Sequence, residues 1–205
     1  MTSRRSWAFV TLALLGCNSA PRTQSAAAAP DTTTPQAPQP AAQAAPPGGD
    51  KVQVAMSAAP ASISQGAAIM EWPANGGAPQ ELRKGTTGWT CFASTPQAAG
   101  RGGKDPMCLD KEFATWGQAL ANKKKPVVKD VGIGYMLQGD EGVSNIDPYA
   151  TSATDKNQWV KSGPHIMVVV PNAAQLAAFP TDPKNGGPWV MWKGTPYAHL
   201  MVPVQ

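Results

Sequence analysis

The chain holds two histidines, and both sit in the same pattern, His-apolar-Met-Val. The first lies in Gly163-Pro164-His165-Ile166-Met167-Val168-Val169-Val170-Pro171 and the second in Pro196-Tyr197-Ala198-His199-Leu200-Met201-Val202-Pro203. Each run is apolar, rich in β-formers and closed by proline, so each reads as a buried strand. Side chains two residues apart on a strand share a face. His165 therefore points with Met167, and His199 with Met201. If the two strands are neighbours in matching register, all four converge on one sheet face. Imidazole with thioether suits a soft ion such as Cu(I). The plainer reading is that the methionines fill a core and that backbone carbonyls satisfy the histidines. A one-residue slip in register would send one set to the opposite face. Cu(I) is thus the alternative; the leading expectation has no cofactor.

An enzyme would use His165 or His199 as base, with Asp105, Asp147 or Asp182 to orient it. No nucleophile accompanies them: there is no Gly-x-Ser-x-Gly, no His-Glu-x-x-His and no free cysteine in the mature domain. No catalytic residue is assigned on that footing. Tryptophan offers a third kind of site. Trp189 and Trp192 flank a strand and Trp159 sits in a long loop, which makes them the candidates for a glycan platform. Buried anchoring is the more ordinary role for such residues.

The elements that must position these residues begin after an N-terminal targeting segment. Arg4 and Arg5 form a basic end, and Trp7 to Leu15 is an apolar run too short to span a bilayer. It ends in Leu14-Leu15-Gly16-Cys17, which resembles a bacterial lipobox. Residues 1–17 are thus a lipoprotein signal segment, and the resemblance implies removal of everything before Cys17 and lipidation of Cys17 itself. Ser3-Arg4-Arg5-Ser6-Trp7 partly resembles a twin-arginine signal, but the residues after the pair favour ordinary Sec export. Asn18, where an Asp would retain an enterobacterial lipoprotein in the inner membrane, leans toward the outer membrane, facing the periplasm. Residues 18–50 carry seven of the 21 prolines and almost no large apolar side chain. Such a stretch cannot offset its ordering entropy by burial and is expected to be a disordered tether.

The rest, residues 51–205, suits one domain with a single core. A net charge of +4 on the whole chain is too mild to argue for nucleic acid. The expected partners are the membrane, through the lipid, and an envelope protein or glycan. With Cys17 used for lipid, Cys91 and Cys108 are left as a pair in an oxidising compartment, and a structural disulfide is favoured. Their 16 intervening residues fit neither a close redox motif nor common zinc spacing.

Ala67 to Trp72, Gln80 to Arg83 and Trp89 to Ala93 read as strands separated by Gly/Pro turns. Asp105-Pro106 can cap a helix whose apolar face is Leu109, Phe113, Trp116 and Leu120, ended by Lys123-Lys124-Lys125-Pro126. Val131 to Leu137 is a further strand, and residues 139–162 are a long polar loop of the kind that often carries function. Asn172 caps a short second helix. The apolar 163–171 and 188–204 runs should be central strands, covered on both faces. The expected fold is α+β: a mostly antiparallel sheet, one main amphipathic helix, a short second helix and one disulfide.

Four segments, Gly88-Trp89-Thr90-Cys91, Asp105-Pro106-Met107-Cys108-Leu109-Asp110, Gly163-Pro164-His165-Ile166-Met167 and Met191-Trp192-Lys193-Gly194-Thr195-Pro196-Tyr197-Ala198-His199, resemble a family of uncharacterised exported bacterial proteins. The likeness runs from about Ala67 onward. It implies one domain and says nothing of chemistry. The expectation is a lipid-anchored envelope protein with a non-catalytic binding or structural domain. A Cu(I) binder and a His-based envelope enzyme are the alternatives.

Overall fold

A computed structural model describes residues 49–204. The targeting segment, Cys17 and nearly all of the expected tether lie outside the described residues. The first helix, α1 (Gly49–Met56), begins two residues inside the stretch assigned to the tether. It is followed by α2 (Ala61–Ser64), β1 (Ala68–Glu71), β2 (Gln80–Arg83), β3 (Thr90–Phe92), α3 (Pro96–Ala99), β4 (Met107–Leu109) and α4 (Lys111–Ala121). Then come β5 (Gly132–Met136), β6 (Val143–Ser144), β7 (Trp159–Val160), β8 (His165–Val169), a 3-10 turn (Ala173–Leu176), β9 (Trp189–Met191) and β10 (His199–Pro203).

Eight strands form one sheet in the order β2-β1-β3-β4-β5-β8-β10-β9, and β6 pairs with β7 as a separate hairpin. All neighbours in the large sheet run antiparallel except β1 and β3. The fold is α+β, as the alternation of short strands and one long helix implied. Apolar residues collect on both sides of the sheet. On one side α1 and its successor bury Val52, Ala55, Ala58 and Ala59 against Ile69, Cys91 and Cys108. On the other, α4 buries Phe113 and Trp116 against Phe92, Leu109, Met136, Met167 and Met201.

The start of α4 differs from the sequence expectation. Asp110, not Asp105, is its cap: Oδ1 accepts from Phe113 N at 2.8 Å, and Oδ2 accepts from Ile133 N at 2.6 Å. One carboxylate thus satisfies an orphan N–H of the helix and fixes that helix to β5. Residues 107–109 are drawn into β4 because they pair with both β3 and β5. Leu109 therefore belongs to the sheet, while Phe113, Trp116 and Leu120 keep the helical spacing.

α4 can lie close to the sheet because β5 carries glycine beneath it. A Cβ on Gly132 would stand 2.7 Å from Phe113 N, and one on Gly134 would stand 3.0 Å from the Met167 Cε. The glycines admit a helix backbone and a methionine side chain that any larger residue would displace.

The strands at the other end are covered unequally. β8 and β10 are interior strands, but only one face is fully buried; Ile166, Val168, Leu200 and Val202 on the reverse are half-buried. β9 is an edge strand rather than a central one, although Trp189, Val190 and Met191 are all buried.

The disulfide is present between Cys91 and Cys108. These residues face each other across β3 and β4, so the bond staples two neighbouring strands. Closing a loop with 17 residues of separation stabilises by about 3 kcal/mol in the chain-entropy account. The Cys91→Ala/Cys108→Ala double variant should lose roughly that amount in urea unfolding. An unchanged midpoint would show that the staple adds nothing to the two strands it joins.

Candidate functional site

The floor of the site is the α4-facing side of β5, β8, β10 and β9. In β10 and β8, Met201 pairs with Met167 and Pro203 with His165. The even spacing then places His165, Met167, His199 and Met201 on one face. The neighbours extend the pattern: Met136 in β5 pairs with His165, and Met191 in β9 pairs with His199. The result is a row of thioethers with an imidazole toward each end. His165 and His199 are offset by four residues in register, about 13 Å along the strands. The four residues singled out in the sequence share a face but do not crowd around one point.

Both imidazoles are held the same way. His165 Nδ1 lies 2.7 Å from Gly163 O, and His199 Nδ1 lies 3.0 Å from Tyr197 O. A carbonyl oxygen only accepts, so Nδ1 carries the proton in each ring and Nε2 of the neutral ring carries a lone pair. Burial lowers the pKa of both rings, that of His199 to about 4. Among the described residues, His165 Nε2 is buried with no hydrogen-bond partner. His199 is packed on three sides instead, its ring centroid 4.9 Å from Trp192, 5.1 Å from Trp116 and 6.3 Å from Phe113.

Above the floor is a cleft of about 560 Å³. α4 supplies one wall with Phe113, Trp116 and Gly117; the β1–β2 turn and α3 supply another; residues 140–151 and Trp159 supply the third. The lining is largely apolar, with Met107, Met136, Met167, Met191 and Met201 at its base.

The third wall is not a free loop. Trp189 Nε1 donates to Asn145 Oδ1 at 3.2 Å, and Trp192 Nε1 donates to Ser144 O at 2.6 Å. Tyr149 OH donates to Tyr197 OH at 2.7 Å, which in turn donates to Lys124 O at 3.0 Å. The long loop is thereby tied to the β9–β10 turn and to the end of α4. Trp192 adopts φ 56°, a left-handed conformation disfavoured for a bulky side chain. Its indole bond and its stacking on Trp116 at 5.9 Å hold it there.

Of the two roles the sequence left open for the tryptophans, Trp189 and Trp192 take the more ordinary one, buried anchoring. Trp189 and Trp192 are 4% and 6% exposed, with their indole N–H groups engaged in the loop. They are anchors and present no platform at the surface. Trp159 is half-buried in the cleft wall, with the Arg101 guanidinium 5.8 Å from its ring centroid.

The expected orienting carboxylates are also elsewhere. Asp105 accepts from Glu141 N at 2.8 Å, Asp147 from Tyr149 N at 2.9 Å and Asp182 from Lys184 N at 2.9 Å. They hold loops, while backbone carbonyls orient both histidines. The acid electrostatically nearest His165 is Asp140, whose pKa burial raises and whose Oδ1 accepts from Ser162 N at 3.2 Å. Burial likewise raises Asp105. Among the described residues no group of three or more His, Cys, Asp or Glu side chains is placed to hold a metal ion.

Met136, Met191 and Met107 were missed as site residues because nothing local marks them. Their place follows from strand pairing, and an isolated Met in a strand reads as core. No family model, no curated protein and no solved structure matches the chain.

A fully buried His199 with a pKa near 4 makes stability depend on pH. Unfolded, the ring titrates near 6.5, so between those values the unfolded chain binds more protons and stability falls as pH drops. At pH 4.5 the loss relative to pH 7 should be about 2 kcal/mol from this group. The raised carboxyls of Asp105 and Asp140 act in the opposite sense. The His199 share is therefore read as the difference between the native chain and His199→Gln in urea unfolding at the two pH values. Equal pH dependence in both proteins would contradict a neutral buried imidazole.

Proposed function

We propose that this chain is a lipid-anchored protein of the bacterial cell envelope whose domain is a non-catalytic binding module, and that its ligand occupies the cleft between α4 and the floor of β5, β8, β10 and β9. The observation that carries the reading is the cleft itself: about 560 Å³, lined mainly by aromatic and methionine side chains, in a domain of this size. Binding sites of small ligands are concave, mostly apolar and furnished with a few polar groups that fix orientation. Here those groups are the neutral imidazole of His165 and the Asp140 carboxyl, both in the cleft lining. Methionine suits a pocket that must adapt to its occupant, being unbranched and polarisable. Among the described residues each imidazole is held by a backbone carbonyl, Gly163 O or Tyr197 O, an arrangement that suits a neutral ring lining a binding site. The anchor is supported by the lipobox at Leu14-Leu15-Gly16-Cys17.

An uncharged apolar fluorophore, N-phenyl-1-naphthylamine, should bind the full chain saturably at one per chain. Gly117 gives a clean blocking variant. It lies in α4 and lines the cleft, and a Cβ there meets only Leu109 Cδ1 at 3.9 Å. Gly117→Leu should lower the fluorophore's affinity at least tenfold. Its unfolding midpoint should not fall, because glycine is the poorer helix residue by about 1 kcal/mol. In cells, Cys17→Ser should abolish incorporation of labelled palmitate. Saturable binding that Gly117→Leu leaves unchanged would remove the cleft from the account, and palmitate retained by Cys17→Ser would remove the anchor.

A further inference from the structure

We infer that the floor of the cleft contains a soft-metal centre of the Cu(I) class, made by His165 Nε2 with the thioethers of Met136 and Met167, and that His199 is not part of it. The inference rests on the cleft being the binding site and names one ligand of it.

Three observations converge on this set. First, the three residues are immediate neighbours on one face. Met136 is the cross-strand partner of His165, Met167 lies two residues along the same strand, and all three line the cleft. Cross-strand partners bring Cβ atoms within about 5 Å of one another, and both methionine side chains are long enough to reach toward the His165 ring. Gly134, opposite Met167, leaves open the space that the Met167 methyl occupies.

Second, His165 is prepared as a ligand and lacks an acceptor's usual partner. The residue is 1% exposed, its Nδ1–H is held by Gly163 O, and its Nε2 is buried with no partner among the described residues. A buried acceptor left without a hydrogen bond costs about 1–3 kcal/mol. A metal ion would use that lone pair, and a metal-bound histidine almost always donates its other ring N–H to a carbonyl or carboxylate, as here.

Third, the donor set is selective. Two soft thioethers and one borderline imidazole carry no charge, and among the described residues His165 belongs to no group of three or more His, Cys, Asp or Glu. That composition disfavours zinc, calcium or magnesium and suits Cu(I). Neutral donors also leave the cation's charge uncompensated except by nearby Asp140. His199 differs in kind. Its ring sits among Phe113, Trp116 and Trp192, where its contribution is packing.

The test uses the full-length chain carrying Cys17→Ser, air-oxidised so that Cys91 and Cys108 stay joined and no free thiol competes. Cu(I) is supplied anaerobically as its bicinchoninate complex, and transfer to the protein is followed by loss of the chelate colour. One Cu(I) per chain is expected. Met136→Leu and Met167→Leu conserve volume and should keep the fold, yet each should weaken binding at least tenfold. His165→Gln should weaken it further, and His199→Gln should leave it within threefold. X-ray absorption should report one nitrogen and two sulfur neighbours. Failure of the chain to take Cu(I), unchanged affinity in both Met→Leu variants, or loss in His199→Gln equal to that in His165→Gln would each overturn the centre. N-phenyl-1-naphthylamine binding on the same samples separates the two ideas. If the fluorophore binds and Cu(I) does not, the cleft stands and the metal centre falls; if neither binds, both fall.

Discussion

The pairing of β8 with β10 is the constraint on which the rest depends. With Met201 opposite Met167, period-two geometry commits every odd-numbered residue from 165 to 169 and from 199 to 203 to the same side. That side then holds two imidazoles and two thioethers, and the reverse holds Ile166, Val168, Leu200 and Val202. A slip of one residue would turn one strand's His and Met toward the half-buried reverse. The floor gives α4 its docking surface, with Trp116 stacked on Trp192 and set edge-on to His199. The glycines of β5 set how close the helix can come.

Polar groups in so apolar a place must be satisfied, and the structure does this mostly with backbone. The histidines give Nδ1–H to carbonyls two residues earlier in the chain, just outside each strand. The indoles of Trp189 and Trp192 reach into the 143–146 segment and fix the wall of the cleft. Trp192 takes an unfavourable backbone angle to do so. The wall is therefore attached at several points, which favours a preformed cleft over one that assembles on contact with a ligand. Preformed pockets lose less ordering entropy on binding.

Much of the fold was legible in the sequence because its signals are local. Gly/Pro turns marked off β1, β2 and β3, the 3.6-residue spacing of Phe113, Trp116 and Leu120 marked α4, and the two remaining cysteines marked the disulfide. The cap of α4 was misassigned because Asp105-Pro106 and Asp110 both carry capping chemistry. The choice was settled by the pairing of residues 107–109 with two other strands, which is not a local property. The site was legible only in outline. Alternation could place His165 with Met167 and His199 with Met201, but register decides whether the pairs share a face, and register is set across more than thirty residues of chain. Met136 and Met191 enter the site through the same long-range pairing. For Trp189 and Trp192 the sequence left a surface platform beside buried anchoring, and their indole bonds to Asn145 and Ser144, also long-range, go with the buried role.

The central claim is that ligand enters the cleft over a floor of methionines. The most direct measurement is a methyl spectrum of the chain labelled with 13C at the methionine Cε, recorded as N-phenyl-1-naphthylamine is added. The methyls of Met107, Met136, Met167, Met191 and Met201, which line the cleft, should shift together and saturate at one fluorophore per chain. Met56, packed with the opposite core, should stay in place. A shift confined to Met56, or none among the five at saturation, would contradict the account.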